Sequence, residues 1–442
     1  MRMRFDSFWE NLRLKYWLLP SVMAILAVIL ALLTIRLDRY YGIDQALGLG
    51  WVYAGEADGA LSLLSTVAGS MITVAGVTFS ITIAALTMAS SQFGPRLLNS
   101  FMRDRGNQMV LGTYIGTFIY CLLVMRTISS SETNPFVPPL SITVGILLAI
   151  ASLGVLIYFI HHISTSINVE YVIANIEAEL SEAIARLFPQ KRTFYSYEHE
   201  LRHDDDIPED FAAMARRVTA RKDGYVQAID FDALLKLSRE NDLVIRVVQR
   251  RGNFVAEDHT LVLVRSDEEE KEEIAKAING AFLVGQHRLQ NQDVSYVISQ
   301  LEEIAVRALS PGINDPFTAV TCLDRLGAAL SDLAGRTIPS SYYYDDDGKL
   351  RVVGESVTFA ELVDQSFDQI RQYGRSSVAV TVRLLETIAI IGTQVHTREQ
   401  RSALRRQTEM IRRGANSAIP ELMDLRRIDE HYRLAIKVLG RA

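Results

Sequence analysis

Charged residues vanish from four long stretches in the first part of the chain. Leu18–Ile35 runs 18 residues without a charge, Gly59–Pro95 runs 37, Gly106–Met125 runs 20 and Thr133–Ile160 runs 28. A helix that crosses a bilayer needs roughly 20 apolar residues. The pattern predicts transmembrane spans at about 18–37, 60–93, 107–127 and 139–161, forming a domain over 18–163 behind an arm at 1–17. The first span has no small-residue cleavage site and is followed by Arg36-Leu37-Asp38-Arg39. A removable signal peptide is therefore not expected.

The second span carries a pattern of its own. Ser62, Thr66, Gly69, Thr73, Gly76, Ser80, Ala84, Thr87 and Ser91 recur in steps of three or four, averaging 3.6 residues. That is the α-helical period, so these small and hydroxylated residues share one face. Large apolar residues such as Leu63, Ile72, Phe79 and Ile83 occupy the other faces. Two readings stand. Small residues let transmembrane helices approach closely, which makes the stripe a packing seam. Alternatively, several copies of the helix surround a hydrated pore lined by Thr66, Gly69, Thr73, Gly76, Ser80, Ala84, Thr87 and Ser91. No charge lies at the centre of any span, which argues against a proton-coupled transporter. Glu56 and Asp58 on one side, and Arg96 on the other, are candidates for the pore mouths. Gly94-Pro95 should break the helix. Gly112-x-x-x-Gly116 in the third span is a common helix-packing signal.

Lys and Arg in the short loops set an orientation. Arg2, Arg4, Arg13, Lys15, Arg96, Arg103 and Arg105 put seven on one side, and Arg36, Arg39 and Arg126 put three on the other. The richer side should be cytoplasmic, with both termini. Trp9, Trp17 and Trp51 lie near the expected interfaces.

Beyond the spans the chain turns polar. Residues 1–165 hold ten basic and eight acidic residues, leaving 36 basic and 44 acidic for 166–442. A helical extension and acidic linker are expected over 164–222, with Val169, Ile173, Ile176, Leu180, Ile184 and Leu187 on one helical face. A small α+β module follows at 223–265, its helix capped by Asp230. A mostly helical domain fills 266–442, with a hairpin near 341–353 turning at Asp347-Gly348. The fold class is thus a mainly α integral membrane protein with a cytoplasmic α+β and then helical domain.

Composition narrows the classes. With 49% hydrophobic residues the chain is not mainly disordered, and two cysteines exclude a disulfide framework or a four-cysteine zinc site. A net charge of −6 gives no reason to expect a nucleic-acid partner. His199-Glu200-Leu201-Arg202-His203 formally matches a metalloprotease pattern. Asp204-Asp205-Asp206-Ile207-Pro208 follows at once and no third ligand is evident, so the match reads as incidental, with no catalytic residue and no cofactor expected. Asp345-Asp346-Asp347 could attract calcium but lacks full calcium-loop spacing, which favours a solvated turn. In Arg307–Ala319, Pro311-Gly312 ends one helix and Asp315-Pro316 starts another. Arg307, Ser310, Asn314 and Asp315 are candidates for an anion or nucleotide phosphate there.

Arg307-Ala308-Leu309-Ser310-Pro311-Gly312-Ile313-Asn314-Asp315-Pro316-Phe317-Thr318-Ala319 resembles the signature of a bacterial family of predicted membrane proteins, domain of unknown function 2254. So do Val77-Thr78-Phe79-Ser80, Ser90-Ser91-Gln92-Phe93-Gly94-Pro95-Arg96 and Gly224-Tyr225-Val226-Gln227-Ala228-Ile229-Asp230. The resemblance spans nearly the whole chain. It implies a bacterial inner-membrane protein and assigns no catalytic residue. Gly252-Asn253-Phe254 departs from an expected Gly-Asp-Phe, so any role of an aspartate there is in doubt. Together these readings favour an oligomeric ion channel or channel-like pore in the lipid bilayer, passing inorganic ions. The alternative is a membrane-anchored sensor or scaffold, and a zinc metalloprotease at His199, Glu200 and His203 is remote.

Overall fold

The computed structural model describes residues 17–41, 53, 55–94, 104–129, 136–188, 207, 211–265, 272–288, 293–355 and 357–440. The chain divides into two compact units, Met1–Tyr171 and Val172–Ala442.

The first unit is built on α1 (Leu18–Tyr41), α2 (Ala57–Phe93), α3 (Arg105–Met125) and α4 (Pro139–Ser166). All four are long and apolar enough to cross a membrane. The hub is α3, against which α1, α2 and α4 all pack. Its two glycines explain how α1 comes close. A Cβ on Gly112 would lie 3.2 Å from the Pro20 Cα, and one on Gly116 would lie 3.6 Å from the Met23 carbonyl oxygen. The Gly-x-x-x-Gly pair therefore seats α1. Ala27, Ala31, Leu64, Ala68, Tyr120, Val124 and Ile142 form the core between the helices.

Where the charge pattern ends the first span at residue 37, the helix continues to Tyr41. Its extra turn turns Asp38 inward, leaving that residue 5% exposed. The Asp38 carboxylate accepts from the Leu140 N–H (3.0 Å), the Ser141 N–H (2.9 Å) and the Ser141 hydroxyl (2.6 Å). It supplies from another helix the cap that Pro138 at the start of α4 cannot give. Beside it, the Tyr120 hydroxyl bonds the Ser141 carbonyl at 2.9 Å and Thr34 at 3.0 Å. At the other end of these helices His162 bonds Asp104 and stacks on Tyr158, with ring centroids 5.3 Å apart. The helical extension expected from residue 164 is a separate helix: α4 stops at Ser166, and the Asn168 side chain accepts from the Glu170 N–H to open α5 (Val169–Leu187).

The second unit joins two sheets to a set of helices. Strands β1 (Arg216–Thr219), β2 (Gly224–Ile229), β3 (Val244–Val247), β4 (Phe254–Val255), β5 (Thr260–Arg265), β6 (Phe282–Gly285), β7 (Tyr342–Tyr344) and β8 (Leu350–Val353) form orders β1-β5-β3-β8-β7 and β4-β2-β6. Helices α6 (Phe231–Glu240) and α7 (Glu272–Ala281) share a core with these strands. That core runs through Val226, Leu234, Ile245, Val262, Ile278 and Val352. The expected 223–265 module is thus part of a larger assembly. The later hairpin enters it, because β8 pairs in parallel with β3, Ile245 opposite Val352. Asp230 caps α6 as expected, accepting from the Ala233 N–H at 3.0 Å.

Among the described residues six further helices follow: α8 (Val294–Ala308), α9 (Pro316–Ala334), α10 (Phe359–Gly374), α11 (Val378–Gly392), α12 (Arg398–Ala418) and α13 (Leu422–Leu439). Thr358 with Glu361, and Thr397 with Gln400, form capping boxes at α10 and α12. Glu177 of α5 pairs with Arg325 of α9 at 2.7 Å.

The aspartate turn is held by arginines. Arg351 reaches Asp345 at 2.6 Å and Asp242 at 2.5 Å, and Arg239 reaches Asp346 at 2.5 Å. Asp345 also accepts from the Lys349 N–H at 2.9 Å. Gly348 takes φ of 74°, which favours glycine there. Arg351 holds the Asp242 and Asp345 carboxyls below their ordinary range, and Arg250 does the same to Glu361. A carboxyl depressed by folding stabilises fully above its unfolded value, about 3.9–4.3, and loses that contribution as pH falls. The expected melting temperature of this unit is therefore insensitive to these groups between pH 7 and 5. It declines below about pH 4, which calorimetry across that range checks.

Candidate functional site on the second span

The face of α2 that packs is not the stripe of small polar residues. Ala60, Leu64, Ala68, Ala75, Thr78, Ala85 and Ala89 are buried, against α3 and α4. Leu64 sits over Gly145 of α4, where a Cβ would lie 3.0 Å away. These residues also follow helical spacing. At about 100° per residue, they point about 180° from the Ser62-to-Ser91 stripe.

That stripe faces outward. Ser62, Thr66, Gly69, Thr73, Gly76, Ser80, Ala84, Thr87 and Ser91 are all exposed. Among the described residues no side chain comes within 4 Å of where a Cβ would stand on Gly69 or Gly76. Five of the stripe's hydroxyls donate along their own helix: Thr66 to the Ser62 carbonyl (2.8 Å), Thr73 to Gly69 (2.8 Å), Ser80 to Gly76 (2.9 Å), Thr87 to Ile83 (2.9 Å) and Ser91 to Met88 (2.8 Å). The hydroxyl protons are thus occupied, while oxygen lone pairs point away from the helix.

The neighbouring helices present a different outer surface. On α1 the exposed residues include Ile25, Leu26, Ile29, Leu32 and Leu33, and on α4 they include Leu147, Ile150, Leu153, Ile157 and Ile160. Large aliphatic side chains are what hydrocarbon favours. On α2 such residues flank the stripe instead, as Ile72 and Phe79 on one side and Val77 and Ile81 on the other. Glu56, just before α2, and Asp58, in its first turn, are exposed at one end. At the far end Gly94 terminates the helix with φ of 111°. Pro95 and Arg96 lie outside the described residues, as do His199, Glu200 and His203. Among the described residues no group of three His, Cys, Asp or Glu side chains is placed to hold a metal.

The 307–315 candidates come together where α8 ends and α9 begins, and each has a local task. Arg307 pairs with Glu303 at 3.4 Å, and the Ser310 hydroxyl donates to the Arg307 carbonyl at 2.7 Å. Asn314 takes φ of 52°, a left-handed conformation that asparagine tolerates. Asp315 caps α9, accepting from the Phe317 and Thr318 N–H groups (3.2 Å each) and the Thr318 hydroxyl (2.6 Å). Those bonds hold the Asp315 carboxyl below the usual carboxylate range. The N–H groups that would receive an anion already serve this carboxylate. The alanine face of α2 was visible as a spaced pattern, but Asp38 gave no local signal of its cross-helix cap.

Comparison with known proteins follows the same outline. Residues 13–389 match the family described as predicted membrane protein (DUF2254). The uncharacterized protein Rv1290c of Mycobacterium tuberculosis is 28% identical over 383 residues, covering 84% of this chain and 71% of that protein. The uncharacterized protein Mb1321c of Mycobacterium bovis gives the same figures, 28% over 383 residues. No solved structure matches the chain. With the family match running from the first span into α11, the chain belongs to the DUF2254 family of predicted membrane proteins.

Proposed function

We propose that the protein is a homo-oligomeric, channel-like pore of the bacterial inner membrane, lined by the stripe of α2. The observation that carries this reading is the contrast between outer surfaces. Aliphatic residues cover α1 and α4, whereas α2 turns hydroxyls, glycines and alanine outward from its own packing face. One chain presents one such face, so enclosing a pore takes several copies. Thirty-seven residues of α2 at about 1.5 Å each exceed a hydrocarbon core of about 30 Å, so the helix tilts or extends beyond it. The lining offers oxygen lone pairs without fixed charge, and Glu56 and Asp58 stand at one end. That combination favours inorganic cations. The excess of Lys and Arg in the arm and second loop supports a cytoplasmic second unit, serving assembly or gating.

Cysteine accessibility tests the lining. Cys121 and Cys322 are buried, so background labelling is low. Thr73→Cys and Ser80→Cys should react with a membrane-impermeant thiosulfonate in native membranes, and modification should change ion flux. Ile72→Cys and Ile81→Cys should react far more slowly. Equal protection at all four positions would remove α2 from the pore.

A further inference from the structure

Separate from the pore reading, the second unit contains a preformed cavity of about 210 Å³. Phe231, Val247, Val294, Ile338 and Tyr343 supply its apolar walls. The Phe231 and Tyr343 rings are stacked, 4.8 Å apart and inclined by 14°. A Cβ on Gly354 would come within 3.1 Å of the Phe231 ring, so that wall is already tightly backed. The rim is fixed by the Gly354 N–H on the Ser341 carbonyl (2.6 Å) and by Arg336 on the Phe188 carbonyl (2.9 Å).

Two consecutive arginines line this cavity and differ in their partners. Arg250 binds Glu361 through both terminal nitrogens, at 2.8 and 3.2 Å, and Glu355 at 3.1 Å. It ties the end of β3 to the capping box of α10. Arg251 is half-buried and, among the described residues, has no ion-pair or hydrogen-bond partner. A guanidinium beside apolar walls is costly unless an anion meets it. Its planar fork suits a carboxylate or a phosphate. Asp293 also lines the cavity; burial pushes its carboxyl up, and the Arg288 guanidinium beside it offsets its charge.

We infer that this cavity binds a small amphipathic anion, with a flat apolar body between the walls and a carboxylate or phosphate on Arg251. The volume is below that of drug-sized pockets, about 300 Å³ and up, and suits a compound with one ring. Nothing in the pore reading requires this site, so each can fail alone.

The test uses the full-length protein in detergent, with ligand-observed saturation-transfer NMR and four probes. Benzoate and phenyl phosphate carry the two anionic groups; benzyl alcohol and benzylamine replace them with a neutral and a cationic one. Saturable binding of either anion is expected, and the better of the two identifies the anionic group. Both control probes should bind at least about tenfold more weakly. Arg251→Gln should weaken anion binding by about tenfold or more without moving the melting temperature, because the side chain has no partner to lose. Arg251→Lys should restore part of it. The assignment is overturned if neither anion binds, if benzyl alcohol binds as well as benzoate, or if Arg251→Gln binds both anions like the native chain.

Discussion

Ser80→Leu, and likewise Gly76→Leu, should cut ion flux through the reconstituted protein by at least about tenfold and leave the chain folded. Both positions lie at the middle of the outward face of α2. Among the described residues nothing stands within 4 Å of a Cβ on Gly76, so leucine displaces none of them. Ser80 gives up only its bond to the Gly76 carbonyl, a bond that does little for helix stability. Leucine also favours the helix over glycine by close to 1 kcal/mol. Stability should therefore stay within about 0.5 kcal/mol at Ser80 and rise slightly at Gly76. A pore narrowed by a ring of leucines would dewet. The packing-seam reading predicts something else: leucine would push copies of α2 apart and change the oligomer. Native mass spectrometry beside the flux assay separates the two, since a blocked pore keeps its subunit number.

Asp38→Ala should be the most damaging substitution for folding of the first unit, costing about 3 kcal/mol. Asp38 accepts three hydrogen bonds from Leu140 and Ser141 and is buried. Losing a helix cap costs about 1 kcal/mol, and leaving buried donors unpaired costs about 1–3 kcal/mol more. Asp38→Asn keeps one acceptor oxygen and should cost roughly half as much. Thermal unfolding in detergent measures both. A large drop in the alanine variant and about half of it in the asparagine variant fits the cap; no drop in either denies it. The loss should also reach the Tyr120 hydroxyl, because its acceptor is the Ser141 carbonyl.

These two residues mark what local pattern can and cannot reveal. The four spans were legible because excluding charge from hydrocarbon leaves long uncharged runs, and Gly112 and Gly116 were legible because close helix approach needs small residues. The Ser62-to-Ser91 stripe was legible as one face, since spacing alone determines that. What that face meets was not, because a face is assigned to a neighbour by tertiary packing. The alanines at 60, 68, 75, 85 and 89 took the contact with α3 and α4, and they carry the same helical spacing. Asp38 was illegible because its acceptors' partners come from residues 140 and 141, about a hundred positions on. The parallel pairing of Ile245 with Val352 was hidden for the same reason. Between Arg307 and Asp315, the helix stop and the Asp315 cap were readable from residue types, whereas Arg251, without a partner among the described residues, comes to line one cavity with Phe231 and Tyr343 only when β3, α6 and β7 meet.

The most direct test is ion flux into liposomes that contain only the purified full-length protein, driven across voltage, membrane tension, pH and calcium. The pore reading predicts a cation conductance under at least one of these conditions, reduced by thiosulfonate on Thr73→Cys and Ser80→Cys and by leucine at Ser80. Liposomes that stay as tight as protein-free ones under every condition would contradict it.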